Sequence, residues 1–184
     1  MGFACAADVP VLLVGDIHRG GERVGLTGLR LPPRRGDAQI TQMAQILSEQ
    51  TDVDYGAPEV QGMLPHSRAL FISDFLGDIA PVEEALSRAA DRGVRGALLQ
   101  ILDPQEEDFP FDGRTVFTSM TGALEHETMK AGDLKSRYLD RLAARKDRLA
   151  MLARTTGWQF QTHHTGQPAT SALLWIYGAL ERHA

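Results

Sequence analysis

The chain has 184 residues, 43% of them hydrophobic and 23% charged, with a formal net charge of −5. Those values exclude a disordered tail, a collagen-like chain and a coiled coil, and fit a single α/β domain over residues 1–184 with enough apolar material for a core. The acidic balance also argues against nucleic acid or an anionic membrane as partner, since both need a basic footprint.

In chain order, Asp8 caps a first predicted helix, with Pro10 in its first turn and Val9, Leu12, Leu13 and Ile17 turned inward. The run Val9 to Gly15 also fits a buried strand. Only about seven residues separate it from Arg23, however, and a parallel crossover needs a dozen or more, so the helix is preferred. The run is far shorter than the roughly 20 residues that span a bilayer. It lacks a basic n-region and a cleavage site, so a cytoplasmic location without membrane insertion is expected.

Residues 23–29 read as a strand, and Pro32 to Gly36 as a loop. Asp37 caps a helix with Ile40, Met43, Ala44 and Leu47 on one face, and residues 50–67 form a surface loop. The clearest unit follows. Ala69 to Ser73 is a buried strand ending at Asp74. A helix opens at Ala80-Pro81, with Glu83 and Glu84 at the positive end of its dipole. Its inner face carries Val82, Ala85, Leu86, Ala89 and Ala90, and Arg92-Gly93 ends it. Gly96 to Leu102 is the next strand. Strand, helix, strand predicts a right-handed crossover with strands 69–73 and 96–102 parallel neighbours, and strand 23–29 in the same sheet.

Residues 114–117 read as a short strand. Leu134, Tyr138, Leu142, Leu149, Leu152 and Ala153 mark a long helix ending at Gly157. Its outer face carries Lys135, Arg137, Arg141, Arg145, Lys146 and Arg148, which reads as a solvated face, or more sharply as a docking surface for an acidic partner. Residues 158–162 alternate as a strand, and Leu173, Ile176, Tyr177 and Leu180 define a closing helix. The expected fold class is α/β: three layers, a mostly parallel central sheet with helices on both faces, Rossmann-like.

Ligands of open α/β sheets sit outside the carboxyl ends of the strands. Asp74 and Asp103 lie at two such ends, with Asp78, Glu106, Glu107 and Asp108 in the adjoining loops. Hard oxygen donors of this kind suit Mg²⁺ or Ca²⁺, although loop carboxylates are usually just solvated. The six histidines, His18, His66, His126, His163, His164 and His183, form no metal-binding pair, and as strand neighbours His163 and His164 point to opposite sides. The single cysteine, Cys5, excludes an internal disulfide and reads as a small apolar residue. Ser73, Ser119 and Ser171 lie in no nucleophile elbow, and no phosphate loop or dinucleotide fingerprint occurs.

Four segments then fall in a recognisable order: Gly20-Gly21-Glu22-Arg23-Val24-Gly25-Leu26, Ala69 to Phe75, Arg92-Gly93-Val94-Arg95-Gly96 and Leu102-Asp103-Pro104-Gln105-Glu106-Glu107. Tyr138-Leu139, Gly157-Trp158 and Thr162-His163 extend the series from about Gly20 to the end. With these the chain resembles the bacterial family called domain of unknown function 58, whose members carry a von Willebrand factor A-like domain. The resemblance implies a protein-binding or assembly module, non-enzymatic, with a MoxR-type AAA ATPase as partner. It implies that Asp74 matches one metal ligand of an adhesion-type site. The Asp-x-Ser-x-Ser loop of that site has no counterpart here, Thr51 is a weak match for its second-loop Thr, and any bound Mg²⁺ would be held poorly. By the same comparison the chain reads as the C-terminal part of the family protein, without the first central strand. The alternative is a small Mg²⁺-dependent phosphohydrolase using Asp74 and Asp103.

Overall fold

The computed structural model describes residues 23–26, 33–49, 63–118 and 125–181. The expected helix near the start, together with Cys5, His18, Thr51, Ser119 and His183, lies outside the described residues.

Helix α1 (Asp37–Glu49) precedes a parallel sheet of three strands, β1 (Arg68–Ser73), β2 (Arg95–Leu102) and β5 (Gln159–His164), in the order β1-β2-β5. Arg68 pairs with Arg95 and Ser73 with Gln100 along the first ladder; Ala97 pairs with Gln159 and Leu102 with His164 along the second. Helix α2 (Ala80–Asp91) joins β1 to β2, and helix α4 (Lys135–Thr156) leads back to β5. Two successive crossovers of one hand that step the same way place their helices on the same face. Accordingly α2 and α4 share a core: Phe71 and Leu98 of the sheet pack with Val82, Ala85, Leu86 and Ala89 of α2 and with Leu149, Leu152 and Ala153 of α4. Helix α5 (Ala169–Glu181) covers the other face, where Ala172, Ile176 and Ala179 meet Leu70, Ala97 and Leu99. The expected α/β architecture, a parallel sheet with helices on both sides, is therefore the observed one. No helix among the described residues is long and apolar enough to cross a membrane.

Local chemistry explains the boundaries. Asp78 Oδ1 accepts from the Ala80 amide at 3.1 Å and Pro81 sits in the first turn, which starts α2. Gly157, at φ 73°, takes the left-handed position that ends α4, and the Trp158 amide donates to the Ala153 carbonyl at 2.7 Å. Each buried Leu or Phe removed from water contributes about 1.5–3 kcal/mol, so most of the stability resides in these two apolar layers.

Several expectations need correction. Of strand 23–29, residues 23–26 are described, and Val24 makes only an isolated antiparallel bridge to Arg34, held by amide–carbonyl bonds of 3.0 and 3.1 Å. Val24, Leu26 and Met43 form a separate cluster with α1. Helix α1 turns Gln39 inward, where its Nε2 donates to the Val24 carbonyl at 2.9 Å, and Ile40 is left 41% exposed. The strand near 114–117 is β3 (Thr115–Thr118), which belongs to a separate antiparallel hairpin with β4 (Glu125–Thr128). The short link between them allows no parallel crossover. In α5 the inward stripe is Ala172, Ile176 and Ala179, and Leu173 and Tyr177 are exposed. Small residues let that helix approach the sheet closely.

Candidate functional site

The carboxyl ends of the three strands carry one network of polar side chains. Gln100, fully buried in β2, donates from Nε2 to the Asp74 carbonyl at 2.8 Å and accepts at Oε1 from Thr162 Oγ1 at 3.1 Å. That amide ties the ends of β1, β2 and β5 together. Beyond it, Asp74 Oδ1 accepts from the Leu76 amide at 2.9 Å, and Ser73 Oγ accepts from the Phe75 amide at 3.1 Å. These short-range bonds hold Phe75 at φ 53°, in the left-handed region.

After β2 comes a single-turn helix, α3 (Pro104–Asp108), formed by a capping box. Asp103 Oδ1 accepts from the Gln105 amide at 2.8 Å and Glu106 Oε2 accepts from the Asp103 amide at 2.7 Å. Asp103 Oδ2 also accepts from Thr165 Oγ1 at 3.0 Å. The next residue, Glu107, joins three elements. Its Oε1 meets Lys146 Nζ of α4, and its Oε2 lies 2.5 Å from His164 Nε2 of β5. Burial pulls the Lys146 ammonium below the ordinary lysine value of 10.5.

Glu106 is the perturbed acid of this network. Burial raises its pKa above the ordinary 4.5, the Asp103 amide lowers it, and the Asp74 and Asp103 carboxylates raise it further. Tyr138 of α4 is pushed above its ordinary 10.0 by burial and then by Glu106 and Asp74. The Glu106 shift has a definite sign. An acid raised in the folded state contributes stability below its unfolded pKa and loses it as pH climbs through the folded value. Replacing it by Gln keeps an acceptor for the Asp103 amide. Relative to wild type, Glu106→Gln should therefore gain stability as pH rises from 4.5 toward neutrality, read by urea unfolding at a series of pH values. A difference that stays flat with pH would remove the assignment.

The structure thus brings Asp74, Asp103, Glu106 and Glu107 to one rim. Asp78 accepts from the Ala80 amide in the turn before α2, and Asp108 is exposed. Sheet alternation separates the two histidines, as the sequence implies: His164 meets Glu107, whereas His163 is buried with Nδ1 unpartnered. Among the described residues no three His, Cys, Asp or Glu side chains group as a metal ion requires. Asp74 Oδ1 is engaged by the Leu76 amide. Sequence reasoning missed Gln100, Thr162 and Lys146. A glutamine inside the apolar run Gly96–Leu102 was the available signal, because a buried amide demands partners.

The profile of the family described as "Protein of unknown function DUF58" matches residues 4–148. The chain belongs to this family. The match begins before Gly20 and stops within α4, so the resemblances at Gly157-Trp158 and Thr162-His163 fall outside it. Within this DUF58 chain, the stretch Asp74 to Glu107 that builds most of the polar network lies inside the matched region. A cobyric acid synthase of Azorhizobium caulinodans is 52% identical over 42 residues, which cover 23% of this chain and 9% of that protein. No solved structure matches.

Proposed function

We propose that this DUF58 chain is a non-enzymatic protein-interaction or assembly module of von Willebrand factor A type, working with a MoxR-type AAA ATPase in complex maturation. The observation that carries the reading is how the side chains of this network are engaged. Asp74, Asp103 and Glu106 accept from backbone amides, Gln100 bonds the Asp74 carbonyl and the Thr162 hydroxyl, and Glu107 meets Lys146 and His164, so each of these side chains is engaged within the fold. Family membership and the α/β fold support the same reading. The experiment has two arms. The purified chain should form a complex with the MoxR-type ATPase of the same source, seen by size exclusion, and should hydrolyse no generic phosphoester with Mg²⁺. Mg²⁺-dependent turnover lost in both Asp74→Ala and Asp103→Ala would establish the phosphohydrolase instead.

The metal expectation is equally direct. Calorimetric titration of Mg²⁺ or Mn²⁺ should show no binding tighter than millimolar, because Asp74 brings one carboxylate where several oxygens are needed. A micromolar Kd abolished by Asp74→Asn would contradict it.

A further inference from the structure

Helix α4 carries seven basic residues against two acidic ones, Asp140 and Asp147, in a chain whose net charge is −5. Four of the seven are arginines on one stripe: Arg137, Arg141, Arg145 and Arg148 fall within about 80° of arc at 3.6 residues per turn, over about 16 Å of axis. The stripe is only partly compensated. Arg148 Nε donates to Glu83 Oε1 of α2 at 2.6 Å, and that contact holds Glu83 below its ordinary value. Arg145 acts on Glu83 only at longer range, and its Nη1 is buried without a hydrogen-bond partner. Arg137 and Arg141 are exposed, and neither makes an ion pair among the described residues.

From this unbalanced row we infer that the α4 stripe docks an acidic helix of a partner protein, with carboxylates spaced one turn apart. The inference rests on the protein-interaction reading above and adds the chemistry of the partner. The side chains are arginines, whose planar fork pairs with carboxylates in bidentate fashion. Their i, i+4, i+8 spacing matches the one-turn repeat of acids along a second helix. A long polyanion is the poorer fit. The stripe belongs to a chain of net charge −5, so a nucleic-acid backbone or anionic bilayer overrunning it meets like charge.

The test uses the full chain and a fluorescein-labelled helical peptide, (Glu-Ala-Ala-Ala)5, with (Gln-Ala-Ala-Ala)5 as control. Fluorescence anisotropy should show binding to the acidic peptide only, weakened by salt, and at least tenfold weaker in Arg137→Gln/Arg141→Gln. Circular dichroism of that variant should match wild type, since both residues are exposed. Three results would overturn the inference: equal binding of the two peptides, an unchanged affinity in the variant, or tighter binding of a 20-mer single-stranded RNA or of phosphatidylserine vesicles. Complex formation with the ATPase separates the two levels. If that complex forms equally well with the double variant, the stripe is not the interface but the module reading stands. If no complex forms even with wild type, the failure belongs to that reading.

Discussion

Gly96→Ala is expected to remove a large part of the folding free energy. Gly96 pairs with Ala69 in the β1–β2 ladder, and a Cβ placed there would lie 1.8 Å from the Ala69 carbonyl oxygen and 2.7 Å from its carbon. Those are backbone atoms of a buried strand and cannot swing aside as a side chain would. The ladder must separate locally, at a cost above the roughly 1–3 kcal/mol of ordinary overpacking, a large part of the roughly 5–15 kcal/mol that holds a domain together. Urea unfolding followed by tryptophan fluorescence measures it. Gly113→Ala is the reference: Gly113 has φ 64° but nothing within 4 Å of the added carbon. Its cost is only the left-handed strain of about 1–2 kcal/mol. Equal midpoints for the two variants would show that β1 and β2 are less closely apposed at this point.

Phe71→Ala should be the most damaging of the simple truncations. The side chain is 1% exposed, in the layer between the sheet and helices α2 and α4. Its ring lies 5.1 Å from that of Trp158, tilted by 46°. Losses for buried Phe→Ala run at about 3–5 kcal/mol. A cycle with Trp158→Leu adds a check on the pair itself. Coupled rings should give a non-additive part of about 0.5–1.5 kcal/mol. Strict additivity would mean that the two residues fill the core independently. Trp158 also donates from Nε1 to the buried Val94 carbonyl at 3.2 Å, so its replacement alone carries a polar penalty.

The residues that made the sheet legible were those whose burial is uniform. Leu70, Phe71, Leu98 and Leu99 form continuous apolar runs, and Pro81 and Gly157 mark helix ends by backbone geometry alone. Legibility failed where tertiary contact overrode local pattern. Gln39 rather than Ile40 turns inward in α1, where its amide adds a second donor to the Val24 carbonyl, and Ile40 is left exposed. Leu173 and Tyr177 lose to Ala172 and Ala179 because the sheet accepts small side chains there. At the site, Asp74, Asp103 and Glu106 were visible as strand-end acids. Their engagement with the Leu76, Gln105 and Asp103 amides was not, because it depends on loop dihedrals such as φ 53° at Phe75. The Glu107 bridge was equally hidden, since Lys146 and His164 lie 39 and 57 residues away in sequence.

The strand order also carries a kinetic consequence. β1 and β2 meet across a short separation, Arg68 with Arg95, whereas β5 must return from Gln159 to Ala97. Closing the longer loop costs about 0.7 kcal/mol more in chain entropy, before the intervening hairpin is ordered. The β1–α2–β2 unit is thus the cheaper event and is expected to form first, with β5 and α5 joining a pre-existing pair. Both tryptophans, Trp158 at the start of β5 and Trp175 within α5, belong to the late half. Stopped-flow fluorescence on this chain will therefore time the docking of β5 and α5, while the earlier pairing of β1 with β2 will be silent to it and will need amide exchange in Leu70 and Leu98 to be seen.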